Sequence, residues 1–172
     1  KENLSLARKE AIQSFGNDEV YIEKLIENPR HIEVQIIGDS FGNIIHVGER
    51  ECSIQRRSQK IIEECPSPVI SEEEREKICD LTIEAFKRVG YKSLGTVEYL
   101  YSNGEFYFIE MNTRLQVEHT IPEEVYNLDI VKEQIFIASG EKISINQNDV
   151  KKTCHSIECR INAENPITLL PS

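Results

Sequence analysis

Apolar residues recur at helical spacing from Asn3 to Phe15, where Leu4, Ala7, Ala11 and Phe15 fall on one side. Gly16-Asn17-Asp18 stops that helix. Glu19 to Leu25 then reads as a short strand, broken by Glu27-Asn28-Pro29. His31 to Ile37 alternates polar and apolar residues, the pattern of a half-exposed strand. Asp39-Ser40-Phe41-Gly42-Asn43 is a turn, and Ile44 to Glu51 returns as a strand, so the two predict a hairpin. Ser71-Glu72-Glu73-Glu74 is a capping box, in which Ser71 and Glu74 satisfy each other's backbone N–H. The helix that follows carries Ile78, Leu81, Ala85, Phe86 and Val89 and ends at Gly90. Gly95 to Tyr101 and Phe106 to Asn112 flank Ser102-Asn103-Gly104-Glu105 as a second hairpin. Glu123 to Ser139 predicts one helix, terminated by Gly140, and Cys154 to Ala163 a last strand.

Strands that return by hairpins beside long helices define an α+β fold with a largely antiparallel sheet. The regular strand-helix-strand alternation of a dinucleotide-binding sheet is missing, as is any G-x-G-x-x-G. Length and composition narrow the class. The 172 residues suffice for one domain with a core of its own. With 39% hydrophobic and 29% charged residues, disordered and collagen-like classes are excluded. No apolar run approaches the ~18 residues of a membrane helix, so no membrane partner is expected. Twenty basic against 30 acidic residues give a net charge of −10, which argues against nucleic acid as a partner. The five cysteines are odd in number and form no CxxC, so they read as small buried residues in a reducing compartment, the cytosol.

The chemistry concentrates between Glu98 and His119. Alternation puts Thr96, Glu98 and Leu100 on one face of their strand, and Phe106, Phe108, Glu110 and Asn112 on one face of the next. The turn sets Glu98 within about one register step of Glu110, in a hairpin that reads as central and covered on both faces. Two carboxylates and an amide there suit Mg²⁺ or Mn²⁺ carrying nucleotide phosphates; the alternative is a pair of rim glutamates in salt bridges. Beyond the strand, Arg114, Gln116 and Glu118 fall on that same side if the chain stays extended. Arg114 could hold a planar oxyanion and Glu118 act as a base, or the two could simply pair with each other. Gln55-Arg56-Arg57-Ser58-Gln59-Lys60 is the one dense basic cluster, an anion site or a solvated run of charge. Arg160 lies mid-strand beside Glu158, where an arginine points at a carboxylate or a ligand.

Glu110-Met111-Asn112-Thr113-Arg114-Leu115-Gln116-Val117-Glu118-His119 resembles the core motif of the biotin carboxylase component of biotin-dependent carboxylases, in the ATP-grasp superfamily. Tyr21-Ile22-Glu23-Lys24, Glu27-Asn28-Pro29-Arg30-His31, Glu49-Arg50-Glu51-Cys52-Ser53, Gln55-Arg56-Arg57, Gly95-Thr96-Val97-Glu98 and Cys159-Arg160-Ile161-Asn162-Ala163-Glu164 agree with it in the same order. The family's Glu…Glu-x-Asn metal pattern is shared with other ATP-grasp ligases, such as carbamoyl-phosphate enzymes, but the Arg114–His119 and Cys159–Glu164 segments are not. A catalytically silent domain derived from the family is the remaining alternative.

The resemblance implies an ATP-grasp large subdomain over residues 21–172, incomplete, preceded by the C-terminal end of the lid subdomain over residues 1–20. It implies that Glu98, Glu110 and Asn112 hold two Mg²⁺ or Mn²⁺ ions on ATP. Glu23, Lys24, Leu25 and Ile26 would form the adenine hinge, with His31, Gln55 and Leu100 also beside the nucleotide. Lys60, Arg114, Gln116 and Val117 resemble the bicarbonate site. Glu118 resembles the base that deprotonates bicarbonate, and Arg160 the group that binds biotin and stabilises its enolate. Implied partners are a biotin carboxyl carrier protein or domain and a carboxyltransferase, in a homo-oligomeric parent that is cytoplasmic, or mitochondrial in a eukaryote. The sequence departs from the pattern at Ser58, where the family has His. The family's glycine-rich phosphate loop is missing too, so the resemblance implies a middle fragment, inactive alone.

Overall fold

The computed structural model describes residues 2–165 and 167–168. The extreme ends of the two expected subdomains, Lys1 and 169–172, lie outside the described residues. Its core is one six-stranded sheet, antiparallel throughout, in the order β5-β4-β1-β2-β3-β6. The strands are β1 (Arg30–Gly38), β2 (Ile44–Arg56), β3 (Gln59–Cys65), β4 (Ser93–Ser102), β5 (Glu105–Asn112) and β6 (Ser156–Cys159). Helix α2 (Glu72–Arg88) covers one face, where Ile78 and Cys79 pack with Val34, Ile36, Val97 and Tyr99. Helices α3 (Thr120–Tyr126) and α4 (Ile130–Ala138) cover part of the other, where Ile121, Val125 and Ile130 pack with Ile37, Val47 and Leu94.

The α+β class and both hairpins are as the sequence predicts, and Ser71 caps α2 with the full capping box. Helix α1 (Glu2–Phe15) forms but has no buried residue. Other expectations are corrected. Glu19–Leu25 forms no strand: no neighbour pairs with it, and Tyr21, Ile22 and Leu25 are exposed. β1 is buried on both faces rather than half-exposed, because β2 and β4 flank it and its polar residues face a site rather than water. The basic cluster spans the end of β2, the turn at Arg57-Ser58 and the start of β3, a strand the sequence does not predict. The helix expected over 123–139 is two helices: Asn127 turns left-handed (φ 51°), and Asp129 caps α4 by accepting from Lys132 N–H at 2.8 Å. The last strand is shorter than predicted. Cys52, Cys65 and Cys79 are buried, whereas Cys154 and Cys159 are exposed.

Two bulges shape the sheet. In β2, Val47 and Gly48 together face Gln35 of β1. Gly48 has φ 65°, and a Cβ there would lie 2.0 Å from Tyr126 Oη, so glycine is required on both counts. In β5, Ile109 is the extra residue between the pairs Glu98–Glu110 and Tyr99–Phe108. That bulge changes the predicted faces: Phe106 and Phe108 lie against Tyr101 and Tyr99, on the α2 side, while Glu110 and Asn112 lie beside Glu98 and Thr96. β5 is the sheet edge and largely exposed, not the covered central strand expected.

Candidate active site

The face of the sheet that α3 and α4 leave uncovered is polar. The register sets Arg50, Glu33, Glu98 and Glu110 in one row across β2, β1, β4 and β5. Like charges directly opposed across strands are destabilising, so three carboxylates in line need cations. Arg50 closes the row at its buried end, donating through Nη2 to Glu33 Oε2 at 3.2 Å. Lys60, at the start of β3, sends Nζ into the middle: it pairs with Glu33, with Glu98 Oε1 at 3.2 Å and with Glu118 Oε1 at 2.8 Å. Lys60 reaches this position from a tight turn in which Arg57 and Ser58 both adopt positive φ (53° and 63°).

His31 Nε2 lies 2.7 Å from Glu98 Oε2 and 3.2 Å from Glu33 Oε1, and the Gln55 carboxamide lies 3.0 Å from its Nδ1. Burial opposes charge on His31, but the hydrogen bonds to Glu33 and Glu98 outweigh it and lift its pKa to about 9. Burial likewise disfavours the Glu33 carboxylate, and His31, Arg50 and Lys60 together hold it well below the usual range. Glu98 is lowered by the same balance, with His31 the chief counterweight to burial.

The 3₁₀ turn Val117–His119 bends a segment expected to stay extended. Gln116 and Glu118 are buried by it and Arg114 is left exposed, yet all three line one cleft of about 450 Å³. Arg114 and Glu118 do not pair with each other. Arg114 donates to Asn112 Oδ1 at 3.1 Å and meets no carboxylate among the described residues. Glu118 lies instead between Lys60 and Arg160, whose Nη2 donates to its Oε2 at 2.7 Å. Arg160 Nε is fixed by Glu63 Oε1 at 2.6 Å. Among the described residues Arg160 Nη1 has no partner.

The cleft is lined by His31, Gln55, Lys60, Glu98, Glu110, Asn112, Arg114, Gln116, Val117, Glu118 and Arg160, so the structure brings these predicted residues together. Glu23, Lys24, Leu25, Ile26 and Leu100 do not line it. The first four are in the exposed or half-exposed segment before β1, where Lys24 Nζ donates to Tyr107 Oη at 3.1 Å. Leu100 is half-buried, paired in register with His31. The basic cluster also divides. Arg56 is committed to Glu164 at 2.7 and 2.8 Å, Arg57 is exposed on the turn, and only Gln55, Ser58, Gln59 and Lys60 face the cleft.

Oxygen donors fit a hard cation at one end of the cleft. Glu110 is exposed with no hydrogen-bond or ion-pair partner among the described residues, beside Glu98 and Asn112. Two deeper donor groups, His31-Glu33-Glu98 and Glu33-Cys52-Glu118, are close enough to share an ion. The Lys60 ammonium already serves Glu33, Glu98 and Glu118 there, so the outer set of Glu98, Glu110 and Asn112 suits a metal better. Sequence reasoning assigned no role to Glu33, Gln35, Arg50, Glu63 or Thr96. Their signal was polar residues alternating along strands whose other face is fully apolar.

An uncovered polar sheet face carries cations and oxygen donors around one cleft, a donor set chemically suited to a phosphorylated, metal-bound ligand. The chain belongs to the family described as the carbamoyl-phosphate synthase L chain, ATP-binding domain, whose model matches residues 1–146. Within it, the likeness is to biotin carboxylases. The biotin carboxylase of Allochromatium vinosum is 56% identical over 98% of this chain and 38% of its own length. The biotin carboxylase domain of the Hydrogenobacter thermophilus 2-oxoglutarate carboxylase, solved with MgADP, ADP and bicarbonate, superposes with a TM-score of 0.90 at 49% identity, covering 99% of this chain and 38% of that one. The pyruvate carboxylase of Rhizobium etli, solved with the allosteric activator acetyl coenzyme-A, superposes with a TM-score of 0.89 at 44% identity, covering 98% of this chain and 16% of that one. The expected ATP-grasp fold class therefore holds. The chain spans well under half the length of these relatives.

Proposed function

We propose that the protein carrying this chain carboxylates biotin on a carrier protein or domain, using ATP and bicarbonate. The observation that carries this reading is Glu118, held at 2.8 Å by Lys60 and 2.7 Å by Arg160 inside the cleft that also presents Glu98, Glu110 and Asn112. Bicarbonate binds among Lys60, Arg114, Gln116 and the backbone of Val117. Glu118 takes its proton, for which one carboxylate oxygen must release its cation. Lys60, also bonded to Glu33 and Glu98, can do so without losing its place. The bicarbonate oxygen then attacks the γ-phosphorus, the bond to the β-phosphate oxygen breaks, and ADP leaves. The C–O bond of the resulting carboxyphosphate breaks to give CO₂ and phosphate. Phosphate takes the biotin N1 proton, and N1 bonds to CO₂. Arg160, fixed by Glu63 and Glu118, offers Nη1 to the biotin enolate oxygen as charge develops there.

Mg²⁺ or Mn²⁺ on Glu98, Glu110 and Asn112 would neutralise the phosphates in transfer. We assign Glu23 to Ile26 to the adenine edge, and His31, Gln55 and Leu100 to the rest of the nucleotide. Residues 1–20 go to the lid and 21–172 to the large subdomain. Carrier and carboxyltransferase partners are proposed from the multifunctional pyruvate carboxylase among the structural relatives. Among the described residues no helix is long and apolar enough to cross a membrane. We place the protein in the cytosol, or a mitochondrion in a eukaryote, where free cysteines persist.

The test is bicarbonate-dependent ATP cleavage by the full-length protein. Glu118→Gln is expected to lower kcat about 100-fold, as for loss of a general base, with MgADP affinity within about twofold. ATP cleavage indifferent to bicarbonate in the wild-type protein would overturn the reading.

A further inference from the structure

We propose that Arg50 is a positioning residue for the bicarbonate site, acting through Gln116 and Glu33; this rests on the reading above. Arg50 is fully buried, a costly place for a guanidinium unless its donors are used. They are used on four side chains. Nε and Nη2 hold Glu33 Oε2 at 3.3 and 3.2 Å, Nη1 holds Gln35 Oε1 at 2.8 Å, and Nη2 also reaches Thr96 Oγ1 at 3.0 Å and Gln116 Oε1 at 2.8 Å.

The last contact matters most for chemistry. Guanidinium donates and never accepts, so it takes only the oxygen end of a carboxamide. Arg50 therefore fixes the amide of Gln116 with its NH₂ turned away, toward Glu98 Oε1 at 2.8 Å and the cleft. An anion needs that donor end; a flipped amide would present a lone pair and repel it. The same logic sets Gln35, whose NH₂ then donates to Gly95 O at 3.0 Å and braces β1 against β4. The other arm acts through Glu33. By fixing one oxygen of that carboxylate, Arg50 leaves the second for Lys60, and so sets where the Lys60 ammonium stands. One buried side chain thus orients two of the proposed bicarbonate contacts while touching no substrate.

The test uses the full-length protein and Arg50→Lys, which keeps the charge but cannot hold Glu33, Gln35, Thr96 and Gln116 together. The readouts are the KM for bicarbonate and the KM for MgATP in ATP cleavage, with circular dichroism to verify folding. The expected result is a rise of about tenfold or more in the bicarbonate KM, with the MgATP KM within about twofold. A purely structural role would move both or neither. In a background of Gln116→Ala, Arg50→Lys should add less than its effect alone, because part of its action is already gone. Should Arg50→Lys fail to fold, Arg50→Met with Glu33→Gln removes both buried charges together and the same split is expected. A folded variant whose two KM values shift in parallel, or not at all, overturns the proposal alone. A wild-type protein without bicarbonate-dependent cleavage overturns the functional reading and this proposal with it.

Discussion

His46 accepts a hydrogen bond from Gly48 N–H through Nδ1 at 3.2 Å, so it can be charged only by giving that bond up. Burial pushes its pKa below 6.5, with Asp80 a weaker opposing influence. The native state therefore binds fewer protons at this site than the unfolded chain. Its stabilisation is complete above pH 6.5 and is lost as pH falls through the lowered value. Between about pH 7.5 and 5.5 the thermal midpoint of the wild-type protein is expected to fall relative to that of His46→Gln, which keeps an acceptor but does not titrate, so the two slopes should differ. An unchanged slope would contradict this assignment. His31 acts in the opposite sense: raised to about 9, it gives stabilisation that is complete below pH 6.5 and is lost as pH rises toward 9, so the His46 contribution is read from the difference between wild-type and variant. At this scale the sequence is legible where a residue's chemistry names its own task. Glu98, Glu110, Arg114, Glu118 and Arg160 were identifiable because each carries reactive or binding chemistry, and all line the cleft. Glu33 and Arg50 were not, because a charge alternating along a strand reads as water-facing. Only the neighbouring strands, with Glu98 on one side and Arg50 on the other of Glu33, reveal an ion pair with no exposure at all.

Elements were predicted best where their ends carry capping chemistry. Ser71 accepts from Glu74 N–H at 3.2 Å, and Glu74 Oε2 accepts from Ser71 N–H at 2.8 Å, so α2 begins where its sequence says. Removing the cap by Ser71→Ala is expected to cost about 1 kcal/mol. That is a drop of about 2–4 °C in the thermal midpoint for a domain of this size, with no change in nucleotide affinity since α2 lies across the sheet from the cleft. Two errors at this scale share one cause. The helix break at Asn127 and the bulge at Ile109 each hang on a single residue's backbone state, which hydrophobic period does not encode. The bulge has chemical consequences: without it, Phe108 and Glu110 would share a face, and either the aromatic contact with Tyr99 or the carboxylate beside Glu98 would be lost. Glu19–Leu25 failed for a different reason. Its composition suits a strand, but a strand needs a partner, and partners are set by topology rather than by local sequence.

For the whole molecule, the sheet supplies one wall of a site. Its cleft holds the acids, the cations and the oxygen donors, while the segment assigned to adenine runs exposed before β1, with Ile22 93% and Leu25 83% accessible. Apolar side chains so placed offer little of the enclosure that ligand pockets use to bury a nucleotide base. The phosphate end and the base end should therefore contribute unequally in the isolated chain. Titrating MgADP calorimetrically into this chain is expected to show binding that requires Mg²⁺ and disappears in Glu98→Gln/Glu110→Gln. Its affinity should be at least about tenfold weaker than in the full-length protein, or about 1.4 kcal/mol. ADP without Mg²⁺ should give no heat, since the acids alone repel phosphate. Binding that survives the double substitution would move the metal to the deeper donors around Glu33. Metal-independent binding would instead make base contacts, not the row of carboxylates, the source of affinity. Circular dichroism of the same samples separates either outcome from unfolding, a check that Glu98→Gln requires because it takes a buried carboxylate from His31 and Lys60, whereas Glu110 is exposed.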